Sequence, residues 1–172
     1  MENNERRKRF KLDLPYPEVE PVCDPKTVML IKEDYAGCQS ELTAINVYIY
    51  QRILMNDVLD ELAGVLLGIA IVEMEHLELL GMAIKNLGGD PEYEVGCRMW
   101  TADYVIYTKN PKEMLLANIE GEKTAIRNYR RHIRMIDNRQ VQKLLERIIL
   151  DEELHIDIFS SLLNRLNDDM LR

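Results

Sequence analysis

The sequence predicts an all-α fold, a four-helix bundle with one long crossover between helices 2 and 3. Three observations predict it. Four segments carry apolar residues at helical spacing, the links inside the first and second pairs of segments are short, and the link between the pairs is long. Only 8 glycines and 6 prolines punctuate the 172 residues, so the elements should be few and long.

Each element has its own boundary signals. Residues 1–24 are read as an extended arm, because Pro15, Pro17 and Pro21 oppose helix. The basic run from Arg6 to Lys11 inside it is read as a solvated, mobile stretch. Asp24-Pro25 offers an N-cap followed by proline at the first helical position, and opens a bundle domain assigned to residues 25–172. Helix 1 is expected from there to about Leu54. Helix 2 is expected from about Asp57 to Asn86, ending at Gly88-Gly89. Residues 89–110 lack long periodicity but hold Trp100, Tyr104 and Tyr107, so this connection should pack on the bundle. Asn110-Pro111 repeats the cap-and-proline start, and helix 3 is expected to reach about Ile136. A break at Asp137-Asn138 precedes helix 4, expected to end near Leu166. Short links make neighbours antiparallel, and the long crossover lets helix 3 run parallel to helix 2.

The two halves resemble each other. Residues 41–48 read Glu-Leu-Thr-Ala-Ile-Asn-Val-Tyr, and residues 122–129 read Glu-Lys-Thr-Ala-Ile-Arg-Asn-Tyr, with five of eight positions shared. Helix 2 then carries Glu73-Met74-Glu75-His76 and helix 4 carries Glu152-Glu153-Leu154-His155. The spacings from Glu41 to Glu73 and from Glu122 to Glu152 are 32 and 30 residues. The chain therefore reads as a duplicated helical hairpin, each copy with one lone Glu and one Glu-x-x-His.

Those residues point to metal. Residues three apart on a helix share a face, so Glu73 and His76 can aim at one centre, as can Glu152 and His155. The glutamates lie on the apolar stripes: Leu66, Ile69, Ala70, Leu77 and Leu80 flank Glu73, and Leu145, Ile148, Ile149, Ile156 and Phe159 flank Glu152. Leu115, Ile119, Ala125, Ile126 and Tyr129 flank Glu122, while Cys38, Ala44, Ile45 and Tyr48 flank Glu41. Folding should drive four carboxylates into the core, with no Lys or Arg on the stripes beside them. An unpaired buried carboxylate costs several kcal/mol, and like charges side by side compound it. Two divalent cations would neutralise the four charges, with neutral imidazoles completing the ligand set. Oxygen and imidazole donors suit iron and manganese alike. The expected ligands are Glu41, Glu73, His76, Glu122, Glu152 and His155.

Around them, Tyr48 and Tyr129 each follow a lone glutamate by seven residues, so each lies on the metal face and should bond a carboxylate of the opposite helix. Asp151 is expected to accept the outward N–H of His76. Its counterpart in the repeat is Val72, so the two sites should differ in basicity. His132 falls off this face and is read as a surface residue.

Composition excludes other classes. A net charge of −8 argues against nucleic acid as a partner. The longest uncharged run near the core, Leu62 to Val72, is far short of the ~20 residues a bilayer requires, so no membrane is expected. The start MENNERRKRF lacks the apolar segment of a secretory signal, which makes the cytoplasm the expected location. Cys23, Cys38 and Cys97 form no CxxC pair, which excludes a rubredoxin-type iron site or a zinc ribbon and fits a reducing compartment.

The pattern Glu … Glu-x-x-His … Glu … Glu-x-x-His over residues 25–167 resembles the ferritin-like di-metal carboxylate superfamily. The resemblance implies that Glu73 and Glu152 bridge two metals, with Glu41 and His76, and Glu122 and His155, as terminal ligands. Asp-Tyr-Ala-Gly-Cys-Gln-Ser-Glu-Leu (34–42) and Glu73-x-x-His76-Leu-Glu resemble manganese catalases and short spore-coat relatives, as does the proline-rich arm. Asp-Glu-Glu-Leu-His-Ile-Asp (151–157) resembles bacterioferritins. Met74 stands where that family places a haem-ligating methionine, but among 9 methionines it is read as packing, and haem is not expected. Rubrerythrins, a third relative, carry a further glutamate where this chain has Ala125. Few residues follow helix 4, against the fifth helix of a bacterioferritin cage. The resemblance implies an oxidoreductase acting on peroxide or O2 with two iron or two manganese ions, as a homodimer or higher homo-oligomer. The alternative it implies is iron storage or metal sequestration.

Overall fold

The computed structural model describes residues 9–170, with side chains through residue 167. Caps set the helix starts. Asp24 accepts from the Thr27 N–H at 3.0 Å and Pro25 takes the first helical position of α1 (Pro25–Ala36). Asn110 accepts from the N–H groups of Lys112 and Glu113 at the head of α4 (Pro111–Met135).

The first helical pattern, expected unbroken to about Leu54, is two helices. α1 stops at Ala36 and α2 (Glu41–Met55) begins after a four-residue break. Gly37 belongs to the break because a Cβ there would press into the carbonyl oxygen of Glu33. Ser40 then caps α2, accepting from the Thr43 N–H at 3.3 Å, and the Thr43 hydroxyl donates back to the Gly37 carbonyl at 3.0 Å. α3 (Asp60–Asn86) starts three residues later than expected, because Asp57 sits at φ 64, in the left-handed region. α5 (Arg139–Met170) runs past the expected stop near Leu166, since no Gly or Pro follows to end it.

The molecule is a four-helix bundle. α2 packs closely on α3 and α4 on α5, each pair an antiparallel hairpin, while contacts between the hairpins are sparser. α1 continues α2 along the same side of α3, with Tyr35 against Gly81 and Val28 against Gly89. The crossover holds a two-stranded antiparallel ribbon, β1 (Glu94–Val95) and β2 (Arg98–Met99), then a single 3₁₀ turn, Ala102–Tyr104. It does pack on the bundle: Val105 is buried, and Trp100 Nε1 donates to the Thr43 hydroxyl at 2.9 Å. Tyr107 is the exception, largely exposed with its ring edge-on to Tyr50. Two apolar clusters fill the bundle. One gathers Leu80, Ile84, Tyr129, Leu144 and Leu145; the other gathers Leu66, Ile69, Met114, Leu115 and Phe159. Among the described residues, no helix is long and apolar enough to cross a membrane.

The arm corrects the reading of a loose basic stretch. Arg6, Arg7 and Lys8 lie outside the described residues. Phe10, however, is buried, and the Lys11 ammonium sits 2.7 Å from Glu75. Further on, Val22 N–H donates to the Asn86 carbonyl and Asn86 Nδ2 donates to the Val19 carbonyl. An apolar ring inside the basic run gives this segment a seat in the bundle.

Candidate metal centre

α2, α3, α4 and α5 each send one glutamate into the middle of the bundle. Glu41, Glu73, Glu122 and Glu152 are buried there with His76 and His155. They form two overlapping groups, each able to hold a metal ion, whose donor atoms lie within 4.8 Å of one another: Glu41, Glu73, His76 and Glu152, and Glu73, Glu122, Glu152 and His155. Glu73 and Glu152 belong to both. His76 Nδ1 lies 3.0 Å from Glu73, 3.3 Å from Glu152 and 3.7 Å from Glu41. His155 Nδ1 lies 3.0 Å from Glu152, 3.1 Å from Glu73 and 3.6 Å from Glu122. The helical duplication thus becomes a two-fold arrangement of side chains.

The outward ring nitrogens decide what faces the centre. His155 Nε2 lies 2.9 Å from the Phe10 carbonyl oxygen, which only accepts, so that nitrogen carries the hydrogen. His76 Nε2 lies 3.2 Å from Asp151 Oδ2 and donates to it. In neutral rings both Nδ1 lone pairs then point at carboxylate oxygens. Glu73 Oε1, buried among them, has no hydrogen-bond partner. Acceptors converging on acceptors need a cation between them, either a proton or a metal ion.

The charges of these side chains, taken by themselves, push their pKa values apart. Burial raises Glu41 and Glu122, and the charges of Glu73 and Glu152 add to it, carrying Glu122 up to about 8. Burial would raise Glu73 too, but His155 and His76 outweigh it and hold it below the usual carboxylate range. Burial disfavours charged histidines, yet the carboxylates win: Glu152 foremost lifts His76 and Glu73 foremost lifts His155, both well above the ordinary value. Protons on the imidazoles and on Glu41 and Glu122 are therefore the competitors of any metal ion here.

The neighbours hold the carboxylates. Tyr48 Oη donates to Glu122 at 2.5 Å, and the Tyr129 hydroxyl donates to Glu41. Asp151 accepts from Tyr16 Oη at 2.6 Å and from the Leu12 N–H at 2.8 Å. Burial would raise Asp151, but the bonds from His76, Tyr16 and Leu12 bring it down to about 2. A buried cation does stand on the α5 stripe: Arg147, with Nη1 2.8 Å from Asp151 Oδ2. It faces Asp151 and the carbonyls of Leu12 and Leu14 rather than the four glutamates. Its place between Leu145 and Ile148, four residues before Asp151, was a readable signal. Tyr16 and the Phe10 carbonyl had none, since an extended arm has no helical period.

His132, read as a surface residue, is fully buried. Its Nδ1 lies 2.7 Å from Asp34 Oδ2 on α1, a partner 98 residues away in the chain. This pair stands apart from the six central residues. Met74, read as packing, is 44% exposed on α3 and contributes little to the core. A small cavity of about 50 Å³ adjoins Glu41, Glu122 and Glu152, with Tyr104 and Ile106 of the crossover among its lining residues. It has room for one or two water-sized molecules.

Known proteins share this architecture. A family model described as a ferritin-like domain matches residues 37–168. A protein of Clostridium acetobutylicum named "Probable manganese catalase" is 26% identical over 168 residues, covering 85% of this chain and 74% of that one. A manganese catalase from Anabaena superposes with a TM-score of 0.81 at 23% identity, over 90% of this chain and 77% of the other. A bacterioferritin of Mycobacterium tuberculosis gives a TM-score of 0.73 at 27% identity, over 86% of this chain and 89% of the other.

Proposed function

The chain belongs to the ferritin-like family, and on that premise we propose that it is a di-metal oxidoreductase acting on peroxide or O2. One observation carries this reading: two buried Glu/His groups that share Glu73 and Glu152. These two carboxylates would hold both ions. Glu41 with His76 would complete one ligand set, and Glu122 with His155 the other. Iron and manganese both suit such donors.

When bound, the pair supplies a two-electron redox capacity and Lewis acidity towards both oxygens of the substrate. The chain's own groups do the rest. Tyr48 and Tyr129 fix the orientation of Glu122 and Glu41. Asp151 and the Phe10 carbonyl fix the tautomers of His76 and His155. The cavity beside Glu41 and Glu122 would hold a molecule of the size of water or peroxide. The relative named as a manganese catalase supports peroxide as the substrate. The likeness to a bacterioferritin supports a second reading, ferrous iron oxidation with storage.

Metal analysis of the purified protein, followed by assays of peroxide consumption and of aerobic ferrous oxidation, tests the proposal. We expect two ions per chain and at least one of the two activities. Protein carrying two ions but showing neither activity would overturn it. Native mass separates the second reading, since storage requires a closed shell that takes up iron far beyond two ions per chain.

A further inference from the structure

We propose that the N-terminal arm positions the metal ligands, with the Phe10 main-chain carbonyl standing behind His155 where a carboxylate stands behind His76. The inference rests on the reading that the two Glu/His groups hold metal ions.

The duplication exposes the need for it. Asp151 directly precedes Glu152 on α5 and takes the outward N–H of His76. The equivalent residue on α3, directly before Glu73, is Val72, which is buried and has nothing to accept with. Val72 therefore offers the His155 Nε2–H no acceptor of the kind that Asp151 offers His76. The Phe10 carbonyl fills that place at 2.9 Å. A histidine ligand oriented through its second nitrogen binds metal better than one free to rotate.

The carbonyl is held there by a notch in α3. The Phe10 ring lies over Gly68, one turn before Val72, so closely that a Cβ on residue 68 would overlap the ring. The arm then runs on past the other histidine. Lys11 Nζ meets both oxygens of Glu75 at 2.7 and 2.8 Å. Leu12 N–H and Tyr16 Oη both bond Asp151, and Arg147 bonds the Leu12 and Leu14 carbonyls. One stretch of seven residues, Phe10 to Tyr16, thereby backs both histidines, one directly and one through Asp151. A neutral carbonyl polarises an imidazole less than a carboxylate does, so the two ions are held unequally.

Gly68→Ala tests this with one methyl group. Displacing the ring should pull the carbonyl from His155 while leaving all six ligands in place. Gly64→Ala, on the same helix with open space at its Cβ, is the control. Manganese(II) binding to the chelator-treated full chain is measured by equilibrium dialysis. The unchanged chain and Gly64→Ala should bind two ions. Gly68→Ala should bind one as before and the other about 10–100-fold more weakly. Deleting residues 1–10 should do the same by a different route. Adding Val72→Asp to Gly68→Ala should restore the second ion by supplying the missing carboxylate. Two equal, unaltered affinities in Gly68→Ala and in the deletion would overturn the proposal, as would an equal loss of both ions, the mark of an arm that only stabilises the fold. If the unchanged chain binds no manganese(II) or iron(II), the di-metal reading fails instead.

Discussion

Glu122 and Glu41 are each held by a tyrosine of the other hairpin, Glu122 by Tyr48 and Glu41 by Tyr129. Removing either hydroxyl leaves a buried carboxylate short of its donor. Tyr48→Phe and Tyr129→Phe should each weaken metal binding by about tenfold, read by titration with manganese(II). Protonation supplies a second test. Glu122 rises from an ordinary 4.5 to about 8, so the folded chain keeps a proton that the unfolded chain gives up. That contribution is complete below about 4.5 and disappears as the pH climbs through about 8. His76 and His155, also raised, act with the same sign above their ordinary 6.5. Asp151 acts oppositely, its contribution vanishing only as the pH falls from 3.8 through about 2. The chelated protein should therefore melt at progressively lower temperature from about pH 6 to about pH 9, and added manganese(II) should flatten the profile by displacing those protons. The six central residues were legible because helical spacing and duplication both mark them. His132 was not, because its partner Asp34 lies on another helix, and neither residue belongs to the repeated pattern.

At the level of elements, the break between α1 and α2 sets where Glu41 begins. Ser40 caps the helix whose first residue is Glu41, and the Asp34–His132 pair ties α1 to α4 across the bundle. Asp34→Ala should cost about 3 kcal/mol in urea denaturation, because it strands a buried histidine. Metal stoichiometry should stay at its unmutated value, since this pair lies outside the central groups. The starts of α1 and α4 were legible from their Asx-Pro pairs, whose capping chemistry is local. The break was hidden because α1 and α2 present one continuous apolar face to α3, although Gly37 and Ser40 stood in the sequence as its signals. The arm was the least legible element. Its anchors are the Phe10 ring, the Lys11 ammonium, Tyr16 and main-chain groups, and extended chain leaves no periodic trace of them.

At the level of the whole molecule, the bundle tolerates four carboxylates in its core between two apolar clusters. Replacing Glu73 and Glu152 with leucine should abolish binding of both ions, since each residue belongs to both groups. The same change should raise the melting temperature of the chelated protein, because apolar packing replaces buried charge. The bundle and its crossover were legible as a whole, from four segments of helical periodicity and the lengths of the links between them. The choice between iron and manganese was not, because the donor set serves either. One consequence follows from the crossover being the sole main-chain link between the hairpins. Each ion would draw three side chains from one hairpin and one from the other. Severing the connection between Gly89 and Asn110 should therefore yield two fragments, already drawn together by the shared apolar clusters, whose association a divalent ion tightens and a chelator weakens.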